Sequence, residues 1–349
     1  MNPSDSKTIG RYDKSGMLGI IEGFPEQVSS AGRIGMEFQA PDGLKIRYAN
    51  IVSTGLGGSA IGADIARSYL SEELGIPMSV NRNYTLPRFV GEESLVIASS
   101  YSGNTEETLA AYEDAKQKKA KVVAITSGGE LKERAGRDNV PAIIIPKGLP
   151  PRCALGYSFF PLLILLSKLG LIKDKSKDID ETIEVLNDLK LNRGLAKDTA
   201  KKIYLKYPLI YAGQDHIDSV ATRWRTQLAE NAKTLASTNL FPEMCHNEIV
   251  GIENPKKLLK DIIVIILRDP GDHPRVSKRM DIIKGIIGHK RVKVIEVKSS
   301  GRSLLARIFS LIYTGDFVSY YLAILNREDP TPVKRIDYLK ERLAKEGAG

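Results

Sequence analysis

The chain has 349 residues and is 42% hydrophobic, enough to fill the cores of two ordinary domains. Fifty-one Lys and Arg against 42 Asp and Glu give a formal net charge of +9, but the basic residues sit among acids on helix-like segments such as 173–180, which reads as solvated helix faces rather than a nucleic-acid surface. Two distant cysteines, Cys153 and Cys245, with no CxxC or Cys/His spacing, fit a reducing compartment and exclude a disulfide framework.

The opening MNPSDSKTIG carries no basic and apolar leader pattern, so a cytoplasmic protein is expected. From residue 49, short apolar runs alternate with helical periods, the sequence form of parallel strands joined by crossover helices. The expected strands of the first half are Ala49–Thr54, Met78–Tyr84, Ser94–Ser99, Lys121–Thr126 and Ala142–Ile145. Behind the first of them GLGGSAIG, Gly55–Gly62, opens a helix where backbone can approach a ligand closely. Gly55, Gly57 and Ala60 also satisfy the GxGxxA form of a dinucleotide fingerprint, and Arg82 would suit NADP, so an oxidoreductase stays open at this point.

The strand at Ser94 runs into SSYSGNTEETL, which gathers the hydroxyls of Ser99, Ser100, Ser102 and Thr105 at a helix start. Unpaired N–H groups and the positive end of the helix dipole meet there, so the segment outlines a cradle for a dianionic phosphate. Asn104 with Glu107 matches a capping box, the plainer reading of part of the segment. A phosphorylated small molecule is the expected ligand.

Between the halves lie a buried-looking helix, Tyr157–Leu169, and a charged helical stretch, Lys173–Tyr207, broken at Gly194. The apolar run Phe159–Leu166 reads as the longest of the chain and is too short for a bilayer, so no membrane contact is expected. The second half repeats the scheme with strands at Pro208–Ala212, Asp261–Leu267 and Arg291–Val297. LVIASSYSGNTEETLAAYEDAK lies over IIVIILRDPGDHPRVSKRMDIIK, and KVVAITSGGELKERA over VKVIEVKSSGRSLLARI, which reads as an internal duplication. Arg268, Asp269, Pro270 and Gly271 replace the hydroxyl cluster in the second copy, so only the first is equipped to hold phosphate in this way.

Within the second half, Ala229–Gly251 offers Glu230 late in a helix that begins near Ser219, and His246 after a Pro-containing loop. Carboxylate plus imidazole is the minimal set for moving protons on a sugar, while a surface glutamate and a capping histidine are the plainer alternative. His216, His273 and His289 read as loop residues, and no metal-binding spacing joins the histidines.

Together these segments resemble the sugar isomerase (SIS) family, and within it the archaeal-type bifunctional phosphoglucose/phosphomannose isomerases, over roughly residues 48–343. The resemblance implies an α/β fold of two SIS (flavodoxin-like) domains, each a parallel sheet flanked by helices: residues 1–170 with an N-terminal extension and the phosphate site, a helical linker at 171–207, and 208–349 with the catalytic Glu and His. By position it implies that Gly57, Gly58, Ser59, Ser100, Ser102 and Thr105 bind the sugar phosphate. The same resemblance implies that Arg152 in PPRCALGY helps hold the substrate and steadies the charge of the intermediate, that Glu230 moves the proton between C1 and C2, and that His246 in EMCHNE assists ring opening. Lys340 in the tail GRSLLARIFSLIYTGDFVSYYLAILNREDPTPVKRIDYLK stands for a lysine near the ring oxygen, with Lys334 close by. A homodimer is implied, because the family's histidine comes from a second subunit.

The expected reaction is interconversion of glucose 6-phosphate and mannose 6-phosphate with fructose 6-phosphate through a cis-enediol, with no metal and no cofactor. Deprotonation at C2 erases its configuration, so one carboxylate can serve both epimers. Partial burial of Glu230 would keep it both ionised and basic. The alternatives are a non-catalytic sugar-phosphate sensor and an SIS isomerase acting on another sugar phosphate.

Overall fold

A computed structural model describes residues 5–290 and 292–346. Three helices, α1 (Ser6–Tyr12), α2 (Met17–Glu22) and α3 (Phe24–Glu37), precede the first strand and give form to a stretch expected only as an extension. Aspartates start the first two: Asp5 accepts from Thr8 N–H at 3.0 Å, and Asp13 from Met17 and Leu18 N–H at 2.6 and 2.9 Å.

The first sheet unit comprises β1 (Asn50–Thr54), α4 (Gly57–Tyr69), β2 (Met78–Asn81), β3 (Ser94–Ser100), α5 (Glu106–Gln117), β4 (Lys121–Thr126), α6 (Gly129–Arg137) and β5 (Ala142–Ile144). Its five strands are parallel in the order β2-β1-β3-β4-β5. Alternate side chains enter two different cores, which is why these strands read as unbroken apolar runs. Ile51, Leu95, Ile97 and Val123 face the interior of the molecule, and Val52, Val96, Ala98 and Val122 face α5 and α6. β2 is shorter than expected. Asn81 donates to the carbonyl of Asn83 at 2.9 Å and turns the chain out of the sheet.

Three helices follow, α7 (Leu155–Lys168), α8 (Ser176–Leu191) and α9 (Gly194–Ile203). The second sheet unit then runs through β6 (Tyr207–Gly213), α10 (Asp218–Ala232), β7 (Ser237–Phe241), the single turns α11 (Glu248–Gly251) and α12 (Lys256–Leu259), β8 (Ile262–Arg268), α13 (Pro274–His289) and β9 (Lys293–Lys298). Arg291, the first residue of the last expected strand, lies outside the described residues. The order β7-β6-β8-β9, all parallel, repeats that of the first sheet less its fifth strand, as an internal duplication requires. β7 was not anticipated, because STNLF has only two apolar side chains. Backbone pairing with β6, from Leu209 beside Ser237 to Gly213 beside Phe241, makes it a strand.

The chain ends in α14 (Leu304–Asn326) and α15 (Lys334–Glu346). α14 corrects the reading of Phe159–Leu166 as the longest apolar run: its 23 residues are long and apolar enough to cross a membrane by length and composition. Its most apolar stretch is buried instead inside the protein, and the helix packs against α8, α9 and α10. One continuous core joins the inner faces of both sheets through α4, α7, α10 and α14. Asp218 at the start of α10 strengthens the junction, accepting from Arg67 at 2.9 Å and Ser68 Oγ at 2.5 Å on α4.

Candidate functional site

In an open parallel sheet, neighbouring strands whose connections leave in opposite directions open a crevice at their carboxyl ends. Here that point lies between β1 and β3, and both glycine and hydroxyl segments emerge there. Ser59 Oγ accepts from Tyr101 N–H at 3.1 Å and ties one segment to the other. Ser100 is buried, its Oγ 2.8 Å from Thr105 Oγ1 and accepting from Gly103 N–H at 3.1 Å, while Ser102 is exposed at the mouth. Thr105 occupies the N-cap position of α5 without making a capping bond, so the first-turn N–H groups are left for a ligand or water. The capping-box reading of Asn104 is corrected: its Oδ1 accepts instead from Glu130 N–H at 2.9 Å, joining the loop to α6.

A cleft of about 190 Å³ opens beside this cluster, lined by Gly57, Gly58, Arg82, Arg152, Thr226 and Glu230 among others. Gly58 has a steric reason to be glycine. A Cβ there would stand 2.4 Å from the carbonyl oxygen of Pro151, so the turn carrying Arg152 can lie against the start of α4. Arg152 is only 4% exposed and almost fully engaged. Its Nε donates to Asn231 Oδ1 at 2.6 Å, and its Nη2 to the carbonyls of Pro330 and Thr331, both at 2.8 Å. Asn231 is held in turn, its Nδ2 donating to Ser319 Oγ at 2.9 Å on α14. Only Nη1 remains, and it faces Glu230 Oε2 at 3.6 Å. That separation is too long for a hydrogen bond, so both groups keep donors or acceptors for a third party in the cleft. The Glu230 side chain is 29% exposed, which leaves a partly solvated carboxylate beside a fixed cation.

The expected site residues therefore fall into three places. Gly57, Gly58, Arg152 and Glu230 share the cleft, and Ser59, Ser100, Ser102 and Thr105 form the adjoining hydroxyl cluster. His246, in a single helical turn over 243–246, and Lys340 on α15 are both exposed and outside the cleft, as is Lys334.

A model of the SIS domain matches residues 46–146, and one described as the bacterial phospho-glucose isomerase C-terminal SIS domain matches residues 192–343. A bifunctional phosphoglucose/phosphomannose isomerase of Caldicellulosiruptor bescii is 48% identical over 339 residues, covering 94% of this chain and 99% of the relative. One from Aquifex aeolicus is 40% identical over 300 residues, 85% of this chain and 91% of the relative. The chain belongs to this family of sugar-phosphate isomerases.

The fold of the isomerase also matches a hypothetical protein from Thermus thermophilus, with a TM-score of 0.73 at 16% identity, covering 98% of this chain and 93% of the other. The equivalent crevice of its second sheet is closed from within. Asp269, buried at the end of β8, accepts from Gly271 N–H at 2.8 Å, Ser299 Oγ at 2.6 Å and Arg307 Nε at 3.0 Å. A carboxylate of the isomerase itself thus sits where the first copy has its hydroxyl cluster. Sequence reasoning passed over Asn231 and the carbonyls of Pro330 and Thr331. The stripe Thr222, Thr226, Glu230, spaced one turn apart on α10, was a legible signal for one wall of the cleft, whereas main-chain carbonyls have no signature in side-chain pattern.

Proposed function

We propose that this isomerase interconverts glucose 6-phosphate and mannose 6-phosphate with fructose 6-phosphate through a cis-enediol, without a metal or cofactor. The observation that carries the reading is the immobilised Arg152 standing 3.6 Å from Glu230, a base beside a ready-made oxyanion stabiliser. Glu230 takes the proton from C2 of either aldose and returns it to C1, and Arg152 Nη1 neutralises the enediolate between the two steps. Ser59, Ser100, Ser102 and Thr105, with the backbone at Gly57 and Gly58, hold the phosphate. Its binding energy orients C1 and C2 against the carboxylate. His246 of a second copy, with Lys340, relays a proton to the ring oxygen as the ring opens. The exposure of His246, away from the cleft of its own chain, supports a homodimer with shared sites. Burial of the long apolar helix α14 and two unpaired cysteines support a cytoplasmic location with no membrane contact.

The test is turnover of both aldose phosphates to fructose 6-phosphate with EDTA present. Glu230→Gln lowers kcat by about two to four orders of magnitude with KM near normal. Wild-type turnover in that variant would remove Glu230 from the role, and loss of all activity on EDTA treatment would end the metal-free reading. A protein that binds the sugar phosphates but turns over neither is instead a sensor.

A further inference from the structure

The last turn of α10 carries Glu230 and Asn231, and its terminal carbonyls have no partners within the helix. Side chains from outside supply them. The carbonyl of Ala232 accepts from Asn326 Nδ2 at 2.9 Å and from Thr234 Oγ1 at 3.1 Å. That of Glu230 accepts from Lys233, whose left-handed backbone at φ 54° turns the chain under the helix end while its Nζ folds back to 2.6 Å. The same Nζ lies 3.4 Å from the carbonyl of Pro330, which also accepts from Arg152 Nη2 at 2.8 Å. One carbonyl oxygen is therefore shared between the ammonium and the guanidinium. The residue is exposed at the helix end, but its ammonium points inward, and among the described residues it has no carboxylate within ion-pair distance. The charged groups facing it are Arg152 on the 151–153 turn, Glu230 on its own helix, and Glu328 and Asp329 in the segment after α14.

We propose that Lys233 is a positioning residue of the isomerisation. Its ammonium clips the backbone of Glu230 to the carbonyl that anchors Arg152, and so holds base and oxyanion stabiliser in their mutual register. An ordinary C-capping lysine would need only the first of these two contacts. The second couples the end of α10 to the segment 330–331, on which Arg152 depends for two of its three neutral partners. Partial loss of water around the ammonium, reinforced by the nearby guanidinium, holds its pKa below the usual lysine value, so the clip releases at a lower pH than a fully solvated lysine would. The inference rests on the roles proposed for Glu230 and Arg152.

The experiment compares Lys233→Met and Lys233→Arg with wild type and with Glu230→Gln, all in the full-length protein. Methionine keeps the stem and removes the charge. Its kcat falls by about 10- to 100-fold, the scale of a misplaced catalytic pair, while KM for fructose 6-phosphate changes by less than about twofold. Arginine restores most of kcat and moves the alkaline limb of kcat to higher pH, because a guanidinium keeps its proton there. Wild-type kcat in Lys233→Met, or a loss that arginine does not rescue and that follows a lowered Tm with the alkaline limb unmoved, overturns the proposal. Those outcomes with an inactive Glu230→Gln leave the reading of the site standing. Normal turnover by Glu230→Gln removes the basis of both.

Discussion

A methyl group on Gly58 would meet the carbonyl oxygen of Pro151 at 2.4 Å, its carbon at 2.9 Å and the nitrogen of Arg152 at 3.3 Å. All three atoms are backbone, so relief requires the turn at 151–153 to move, and Arg152 moves with it. Gly58→Ala is expected to cost about 1–3 kcal/mol of stability, the range for overpacking. On the role proposed for Arg152, its kcat is expected to fall further than KM rises; denaturant melts and steady-state kinetics read the two effects. The two cysteines differ for an equally local reason. Burial pushes the Cys153 thiol up to about 11, whereas Cys245 is partly accessible. A maleimide at pH 8 should therefore add one label, at Cys245, as counted by intact mass. Two labels on the folded protein would contradict the burial of Cys153.

At the scale of elements, α10 and α14 pack tightly against one another. Trp224 crosses α14 at Gly315, where a Cβ would stand 2.3 Å from the indole nitrogen, and donates to the carbonyl of Leu311 at 2.8 Å. Asp316, one residue on, accepts from Arg223 at 3.0 Å and Gln227 at 2.8 Å, so α10 is held in rotation as well as depth. Rotation decides which face of α10 presents Thr222, Thr226 and Glu230 to the cleft. Gly315→Ala should lower stability by about 1–3 kcal/mol and shift the emission of the sole tryptophan to the red. An unchanged denaturation midpoint and spectrum would refute the close contact. Most of these elements were legible in the sequence because both faces of each sheet are covered, which writes strands as plain apolar runs and their crossovers as helical periods. β7 was not, since its strand character comes from β6. The apolar length of α14 was overlooked because Arg307, Thr314 and Asp316 interrupt it, each of which finds a partner inside the protein.

At the scale of the molecule, the two copies have diverged around one shared core. The first keeps an open crevice with hydroxyls at its edge, and the second fills its own with Asp269 and contributes Glu230 from the helix packed against α4. The cleft is therefore a product of the junction, with Gly57, Gly58 and Arg152 from one unit and Thr226 and Glu230 from the other. If His246 completes the site from a second copy, mixing inactive Glu230→Gln and His246→Ala proteins restores activity. Random reassortment gives half heterodimers, each with one intact site of two, or about a quarter of wild-type activity. No recovery after verified subunit exchange would place His246 in its own chain's site or outside catalysis.

The sequence by itself determined most of the element order, the repeated strand scheme and the gathering of hydroxyls in the first copy alone, because these depend on local periodicity and on side chains near one another along the chain. The tertiary structure alone decided that Arg152 and Glu230, 78 positions apart, stand 3.6 Å from one another, and that main-chain carbonyls at 330 and 331 hold the arginine there. It also decided that His246 and Lys340 lie outside the cleft of their own chain. Such relations arise when helices from two units pack on a common core, and packing distances between remote segments leave no period in the sequence to read.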